Sequence, residues 1–163
     1  MKSAQQWFDA YGASHQDPTN KLIHWFCVPA IAFTTVVLLA TLPHGFLRGA
    51  VPPSLGAYAH WGTVLVMASL VFYLRLSWTI GLGMAAFSAL TLWGTAALAH
   101  WQAAGGPPMW LVGVIVFSVA WFFQFVGHKI EGQKPSFFED LQFLLVGPAW
   151  LLQFVYRRAG IPI

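Results

Sequence analysis

Three histidines, His15, His24 and His128, lie where apolar segments of the chain meet polar residues. Neutral imidazole is a good ligand for iron, zinc, copper and nickel, whereas magnesium and calcium prefer oxygen ligands. Two or three histidines and a carboxylate, with coordination positions left open, fit a non-haem Fe(II) centre that activates dioxygen. A single histidine at a membrane boundary is more often an ordinary interfacial polar residue. Because these three share polar neighbours and one predicted side of the membrane, we interpret them as ligands of one metal ion.

Polar neighbours accompany these histidines at helical spacing. Asn20 precedes His24 by four residues and Gln124 precedes His128 by four, so each pair shares a face of its predicted helix. Glu131 shares the face of His128 if that helix continues for one more turn. Its carboxylate could bind the metal directly or accept a hydrogen bond from a ligand imidazole, and we favour the second role. Asn20 and Gln124 are candidates for the same orienting role.

The composition is that of a membrane protein. Hydrophobic residues make up 58% of the chain and charged residues 8%, and the mean hydropathy is +0.64, which excludes an ordinary water-soluble domain. A hydrocarbon core about 30 Å thick needs roughly 20 apolar residues per helix. We therefore predict one all-α integral membrane domain over residues 1–163, with transmembrane helices at 22–42, 58–74, 76–99 and 109–127.

Two further helices are predicted at the ends of the chain. Trp7, Phe8 and Tyr11 are within helical reach of one another and indicate a short amphipathic helix that lies on the lipid headgroups. Residues 137–156 are apolar but are interrupted by Gly147 and Pro148. We expect this segment to form an interfacial helix, although a fifth span is left open.

Local signals define how the histidine-bearing helices begin and end. Asp17 and Pro18 have the residue types of an N-cap and a first helical position, so a helix should start there with His15 in the turn before it. His15 could then fold back toward the face that carries His24. Ser136 and Glu139 match a capping box that would open the last helix.

The distribution of basic residues predicts the topology. With four spans both termini lie on one side, and of the 8 Lys and Arg residues only Arg48 falls on the other side. The positive-inside rule therefore places both termini in the cytoplasm. The expected membrane is the bacterial inner membrane or, for a eukaryotic protein, that of the endoplasmic reticulum. The net charge of +3 comes from scattered residues and not from a basic patch with interleaved aromatics, so we predict no nucleic-acid partner.

The remaining histidines, His44, His60 and His100, fall at span ends on the opposite side of the predicted membrane. We interpret them as interfacial polar residues. His100 would join the other cluster only if the third span were broken or re-entrant, which Gly81 and Gly83 leave possible.

Two blocks of sequence resemble a known family. Residues 11–24 carry Tyr11, His15, Pro18, Asn20 and His24, and residues 121–135 carry Trp121, Gln124, Gly127, His128, Glu131 and Pro135. Together they resemble the two motifs of the 2-hydroxy fatty acid dioxygenase family. These small membrane proteins include a fungal endoplasmic reticulum enzyme of phytosphingosine breakdown and many bacterial relatives.

The resemblance implies an Fe(II)-dependent dioxygenase that performs alpha-oxidation. A 2-hydroxy fatty acid and O2 would give CO2 and the fatty acid that is one carbon shorter. The iron ligands would be His15, His24 and His128, and membrane lipids would surround the protein. We expect the substrate's carboxylate and 2-hydroxyl to bind the iron. The carboxylate could be attracted by Lys21, Lys129 and Lys134. The positions of these lysines also fit ordinary positive-inside topology.

Two other classes of protein are consistent with the composition. A small transporter should carry polar residues in the middle of its spans, and this chain has only mild ones there, such as Thr34 and Ser88. A membrane scaffold would need no redox chemistry, and its histidines would simply lie at the interface. Metal content distinguishes both from the enzyme.

Overall fold

The computed structural model describes residues 2–138 and 141–163, and within them all regular structure is helical. The predicted all-α class is therefore confirmed. Two 3-10 turns, Pro53–Tyr58 and Ser136–Phe138, interrupt the connections. The α-helices in chain order are α1 Ala4–Gly12, α2 Pro18–Ala40, α3 Gly45–Gly49, α4 Trp61–Leu76, α5 Trp78–Ala103, α6 Met109–Glu131 and α7 Phe143–Ala159.

Three helices of the described chain, α2, α5 and α6, are long and apolar enough to cross a membrane. They contain 23, 26 and 23 residues, which corresponds to lengths of about 34 to 39 Å. Helix α4 is apolar but has only 16 residues, or about 24 Å, less than a hydrocarbon core of about 30 Å. The predicted count of four spans is therefore not confirmed. Helix α7, with 17 residues, is also too short to qualify.

Helices α4 and α5 form the tight hairpin that the short predicted turn required. Ser77 alone connects them, in an extended conformation that ends one helix and begins the next. Helix α5 is continuous through its glycines, so it is neither broken nor re-entrant. Those glycines instead allow close packing, because a side chain at Gly81 would meet Leu74 and one at Gly83 would meet Tyr156.

Helix α2 lies at the centre of the bundle and runs antiparallel to α6. It packs against α4, α5, α6 and α7. At one end Asn20 lies against Gly127, and at the other Leu38 lies against Gly113. The start of α2 and the end of α6 therefore meet, and we call this the histidine end of the bundle.

Helix α1 forms where the sequence predicted it, but its apolar face contacts protein. Ser3 and Gln6 close a capping box at its start. The ring centroid of Trp7 is 5.2 Å from that of Phe143, and that of Tyr11 is 5.2 Å from that of Trp150. The prediction that this face rests on lipid headgroups is therefore wrong, because helix α7 presents a complementary apolar surface that covers it.

The last helix begins later than the sequence predicted. The chain forms a 3-10 turn at Ser136–Phe138, and α7 starts only at Phe143. Glu139, the second half of the predicted capping box, lies outside the described residues. Helix α7 continues through Gly147 and Pro148 without a break, and Gly147 leaves the space that the hydroxyl of Tyr11 approaches.

The packing of α1 on the bundle predicts unequal effects for two phenylalanines. Phe8 is 1% exposed within the core formed by α1 and α7, whereas Phe122 on α6 is 63% exposed. Phe8→Ala should lower the free energy of unfolding by about 3–5 kcal/mol because it leaves a cavity. Phe122→Ala should change it by less than about 1 kcal/mol. Thermal unfolding in detergent measures both, and equal losses would contradict this packing of α1.

Candidate metal centre and its cavity

Backbone carbonyl groups hold two of the predicted ligands in place. His15 lies in the turn between α1 and α2, and its Nδ1 is 2.6 Å from the carbonyl oxygen of Tyr11. His24 lies in the second turn of α2, and its Nδ1 is 2.9 Å from the carbonyl oxygen of Asn20. Both imidazoles are fully buried. The helix start that carries them is formed by Asp17, whose carboxylate accepts hydrogen bonds from two backbone N–H groups of α2, as predicted.

His128 completes a cluster of three buried imidazoles. Helix α6 continues past Gly127 to Glu131, which brings His128 to the histidine end of the bundle. Its ring centroid is 4.8 Å from that of His15 and 5.1 Å from that of His24. One ring nitrogen from each residue lies within 4.8 Å of the others, so the three could hold a metal ion. We refer to His15, His24 and His128 as the histidine cluster.

The hydrogen bonds define which ring nitrogens are available to a metal. A carbonyl oxygen only accepts, so Nδ1 of His15 and of His24 must carry the proton. Burial lowers the pKa of His15 to about 4, which keeps its imidazole neutral at pH 7. In the neutral rings each Nε2 then bears a lone pair, and these two atoms face each other at 2.9 Å. Two lone pairs at this distance repel unless a cation lies between them.

This arrangement fits a bound first-row metal ion. Imidazole nitrogens bind such ions at about 2.1 Å, so two nitrogens 2.9 Å apart can share one ion. Metal-binding histidines usually bind the ion through one ring nitrogen while the N–H of the other donates to an acceptor such as a carbonyl oxygen. The rings of His15 and His24 have this arrangement. The cluster alone does not identify the metal, because iron, zinc, copper and nickel all accept imidazole.

Glu131 binds the chain that carries the ligands and not the ligands themselves. Its carboxylate accepts hydrogen bonds from the backbone N–H of Gln16 at 2.7 Å and of Asp17 at 2.9 Å. The side-chain amide of Asn20 donates a third at 3.0 Å. The expected role as acceptor from an imidazole is therefore wrong in this geometry, and direct binding of a metal by Glu131 stays a prediction. The acceptors from His15 and His24 are backbone carbonyls, and Glu131 instead ties the end of α6 to the start of α2.

Asn20 contributes to the site through its main chain as well as its side chain. Its carbonyl orients His24 and its amide binds Glu131. Its Oδ1 lies so close to Gly127 that a side chain there would collide with it. Glycine at this position therefore permits the approach of α6 to α2, and with it the meeting of His128 and His24.

A cavity of about 560 Å³ extends from the histidine cluster into the bundle. Along α2 one stripe from His24 to Val36 lines it, a length of about 18 Å. Its lining in the described chain contains no Lys, Arg, Asp or Glu. Its volume lies within the range of about 300–1,000 Å³ that is usual for small-molecule sites. Apolar residues from several helices form most of its wall, among them Val28, Ile31, Leu65, Met84, Phe87 and Phe117.

The lysines proposed to attract a carboxylate do not line this cavity. Lys129 and Lys134 are exposed, and Lys21 is half-buried beside the cluster. Long cationic side chains keep their charged ends in water, away from an apolar cavity. The three lysines therefore lie outside the cavity, and their attraction of the carboxylate stays a prediction.

The other histidines stay apart from the cluster, as expected. His44 and His60 lie near each other at the opposite end of the bundle, with ring centroids 6.3 Å apart. His60 is buried and caps α4, because its Nδ1 accepts from the backbone N–H of Thr63. His100 is exposed near the end of the unbroken α5. The open possibility that His100 joins the cluster is therefore wrong.

Three residues that lie at the site, Tyr11, Ser14 and Ser136, were not predicted to belong to it. The ring of Tyr11 stacks on His15 with centroids 4.1 Å apart. Ser14 lies 3.2 Å from Nδ1 of His15 and 2.6 Å from the hydroxyl of Ser136. The spacing of four between Tyr11 and His15 was a visible signal, whereas nothing in the sequence pairs Ser14 with Ser136.

Comparison with known proteins agrees with the two motifs. The family model described as 2-hydroxy-palmitic acid dioxygenase Mpo1-like matches residues 1–159. The chain belongs to this family. No curated protein and no solved structure matches it. In this Mpo1-like chain the match covers both histidine-bearing motifs and the helices between them.

Proposed function

We propose that this chain is an Fe(II)-dependent dioxygenase that shortens 2-hydroxy fatty acids by one carbon. The C1–C2 bond of the substrate breaks, C1 leaves as CO2, C2 becomes the new carboxyl carbon, and O2 is reduced with release of water. The observation that carries the proposal is the histidine cluster at the head of a long apolar cavity. The family name points to the same class of substrate.

The cluster would hold the iron through Nε2 of His15, Nε2 of His24 and one ring nitrogen of His128. When bound, the ion would supply the binding and activation of dioxygen. The chain's own residues position the ligands. The carbonyls of Tyr11 and Asn20 keep the proton on Nδ1 of His15 and His24, and burial lowers the pKa of His15 so that its imidazole stays neutral.

The cavity would take the acyl chain. Its lining stripe on α2 is about 18 Å long, and an extended chain advances about 1.2 Å per single bond, so about 15 bonds fit. Because no charged side chain of the described residues lines it, the apolar tail would lie inside while the carboxylate stays at the histidine end. Such a substrate partitions into lipid, which agrees with an integral membrane enzyme. We further propose that both termini and the histidine end face the cytoplasm.

Anaerobic loading with Fe(II), followed by O2 and 2-hydroxypalmitate, tests this function. The expected product is pentadecanoic acid together with CO2 from C1 and consumption of O2. Zinc-loaded protein is the control, because zinc binds imidazole but has no redox chemistry. Absence of the shortened acid from iron-loaded, folded protein would reject the activity in favour of a scaffold or transporter.

A larger side chain in the cavity should change the accepted chain length. Ala32 lines the cavity on α2, eight residues after His24 and thus about 12 Å along the helix. Ala32→Phe should lower turnover of 2-hydroxypalmitate by about tenfold or more while 2-hydroxyoctanoate is still converted.

Ala30→Phe is the matched control for chain length. Ala30 is half-buried like Ala32 but does not line the cavity, so the same substitution there should leave the chain-length profile unchanged. Product analysis over a series of 2-hydroxy acids measures both profiles. Equal profiles for the two variants would show that the acyl chain does not bind in this cavity.

A further inference from the structure

One amide in the cavity lacks the partner that a buried polar group normally has. Gln124 is 7% exposed and lines the cavity on α6, one turn before His128. Its Oε1 is buried and has no hydrogen-bond partner in the part of the chain that the structure describes. Most buried polar side-chain atoms in folded proteins are paired, so this oxygen points to a ligand that brings a donor.

Three hydroxyl groups along the cavity do not share this feature. Thr35, Ser69 and Thr91 each donate to a backbone carbonyl of their own helix, one turn earlier. Their hydrogen-bonding needs are met without a ligand. Gln124 is different because its Oε1 is an acceptor, and no donor in the described part of the chain reaches it.

A second polar group on the same stretch of α6 is also without a partner. Trp121 lies three residues before Gln124 and lines the same cavity. Its Nε1–H is buried and has no partner among the described residues, although its ring packs against Phe117, Phe125 and Phe137. Two unmet groups at one level indicate that the polar part of the occupant reaches this level of the cavity.

The chemistry of the substrate class decides which of its groups can serve Gln124. A fatty-acid carboxylate at neutral pH only accepts hydrogen bonds, and the alkyl chain neither donates nor accepts them. The 2-hydroxyl is the one group that donates. With the carboxylate at the histidine cluster, the 2-hydroxyl is on the adjacent carbon. Residues one helical turn apart, such as Gln124 and His128, have Cβ atoms about 5–6 Å from each other, so a hydroxyl at this position would lie near Gln124.

We propose that Gln124 selects 2-hydroxy acids over unsubstituted fatty acids by accepting a hydrogen bond from the 2-hydroxyl. This rests on the proposed function, and it adds a specificity residue to the metal centre. An acid without the hydroxyl leaves the amide oxygen buried and unpaired. Sites built in this way reject the analogue that lacks the group.

Equilibrium binding to the iron-loaded protein without O2 tests the assignment, since no turnover occurs. 2-Hydroxypalmitate and palmitate are titrated separately, and the ratio of their Kd values gives the preference. Gln124→Met keeps the volume and removes the hydrogen bond, so it should reduce this preference by about tenfold. Gln124→Asn, which retains an amide one methylene shorter, should give an intermediate ratio.

Gln153→Met is the matched control. Gln153 on α7 is 3% exposed, and its Oε1 also has no partner within residues 2–138 and 141–163, but Gln153 does not line the cavity. Its replacement should leave the preference unchanged. Iron content and helical circular dichroism show that each variant is loaded and folded.

The outcomes separate this inference from the function on which it rests. If the wild type prefers 2-hydroxypalmitate and Gln124→Met and Gln124→Asn keep that preference in full, the role of Gln124 is wrong and the proposed function stands. If the wild type binds the two acids equally, the role of Gln124 is wrong and the proposed function is decided by turnover; if it binds neither acid, both are wrong. Loss of preference in Gln124→Met, an intermediate ratio in Gln124→Asn and no change in Gln153→Met together establish the role.

Discussion

Replacing His24 by alanine is expected to remove the bound iron and to lower turnover of 2-hydroxypalmitate by more than about 100-fold. Its Nε2 faces that of His15 at 2.9 Å, so its loss leaves two imidazoles where three now meet. The fold should persist, because the two facing lone pairs do not stabilise the metal-free protein. Metal analysis, turnover and thermal unfolding together distinguish a lost ligand from a lost fold.

His100→Ala is the control for the histidine substitutions. His100 is exposed near the far end of α5 and should leave both iron content and turnover at wild-type levels. His15→Ala and His128→Ala should behave like His24→Ala. Retention of stoichiometric iron in all three variants of the histidine cluster would show that the ion binds elsewhere.

Glu131→Ala is expected to weaken iron binding by about 10–100-fold, the effect usual for residues that position metal ligands. It should also lower the free energy of unfolding by about 3 kcal/mol, because three hydrogen bonds to a carboxylate are lost. The backbone N–H groups of Gln16 and Asp17 and the amide of Asn20 lose their acceptor. The turn that carries His15 then separates from the end of α6.

Two further variants test whether Glu131 acts through position or through charge. Glu131→Gln keeps one acceptor oxygen and should give intermediate losses of iron affinity and stability. Asp9→Ala removes a different carboxylate, one that is exposed and accepts a hydrogen bond only from Gln5 among the contacts described, and should change neither. If Glu131→Ala binds iron as tightly as the wild type, the link between α6 and α2 does not position the ligands.

The sequence predicted the parts of the site that depend on local spacing. The N-cap at Asp17 and the shared face of Asn20 and His24 follow from helix geometry and capping. Helix geometry also predicts that Glu131 shares the face of His128 once the helix continues, although the predicted span ended at residue 127. The return of His15 toward His24 also followed, because a turn residue just before a helix start can reach the first turns of that helix.

The sequence could not predict features that depend on tertiary packing. The apolar face of α1 is typical both of a helix on lipid and of one packed on protein, and only α7 decides between them. The partners of Glu131 are backbone N–H groups, which carry no sequence signal. Likewise α4 is apolar enough for a span, but its length of only 16 residues is defined by its N-cap at His60 and its end at Ser77. The sequence did not predict either boundary.

X-ray absorption on the iron-loaded protein, kept free of O2, tests most directly whether the histidine cluster holds the ion. We predict nitrogen or oxygen neighbours at about 2.1 Å with the outer scattering of about three imidazole rings. This spectrum should be unchanged in His100→Ala and absent from His128→Ala, which should retain no iron. A spectrum without imidazole scattering, or one identical in the wild type and His128→Ala, would contradict the metal centre described for this fold.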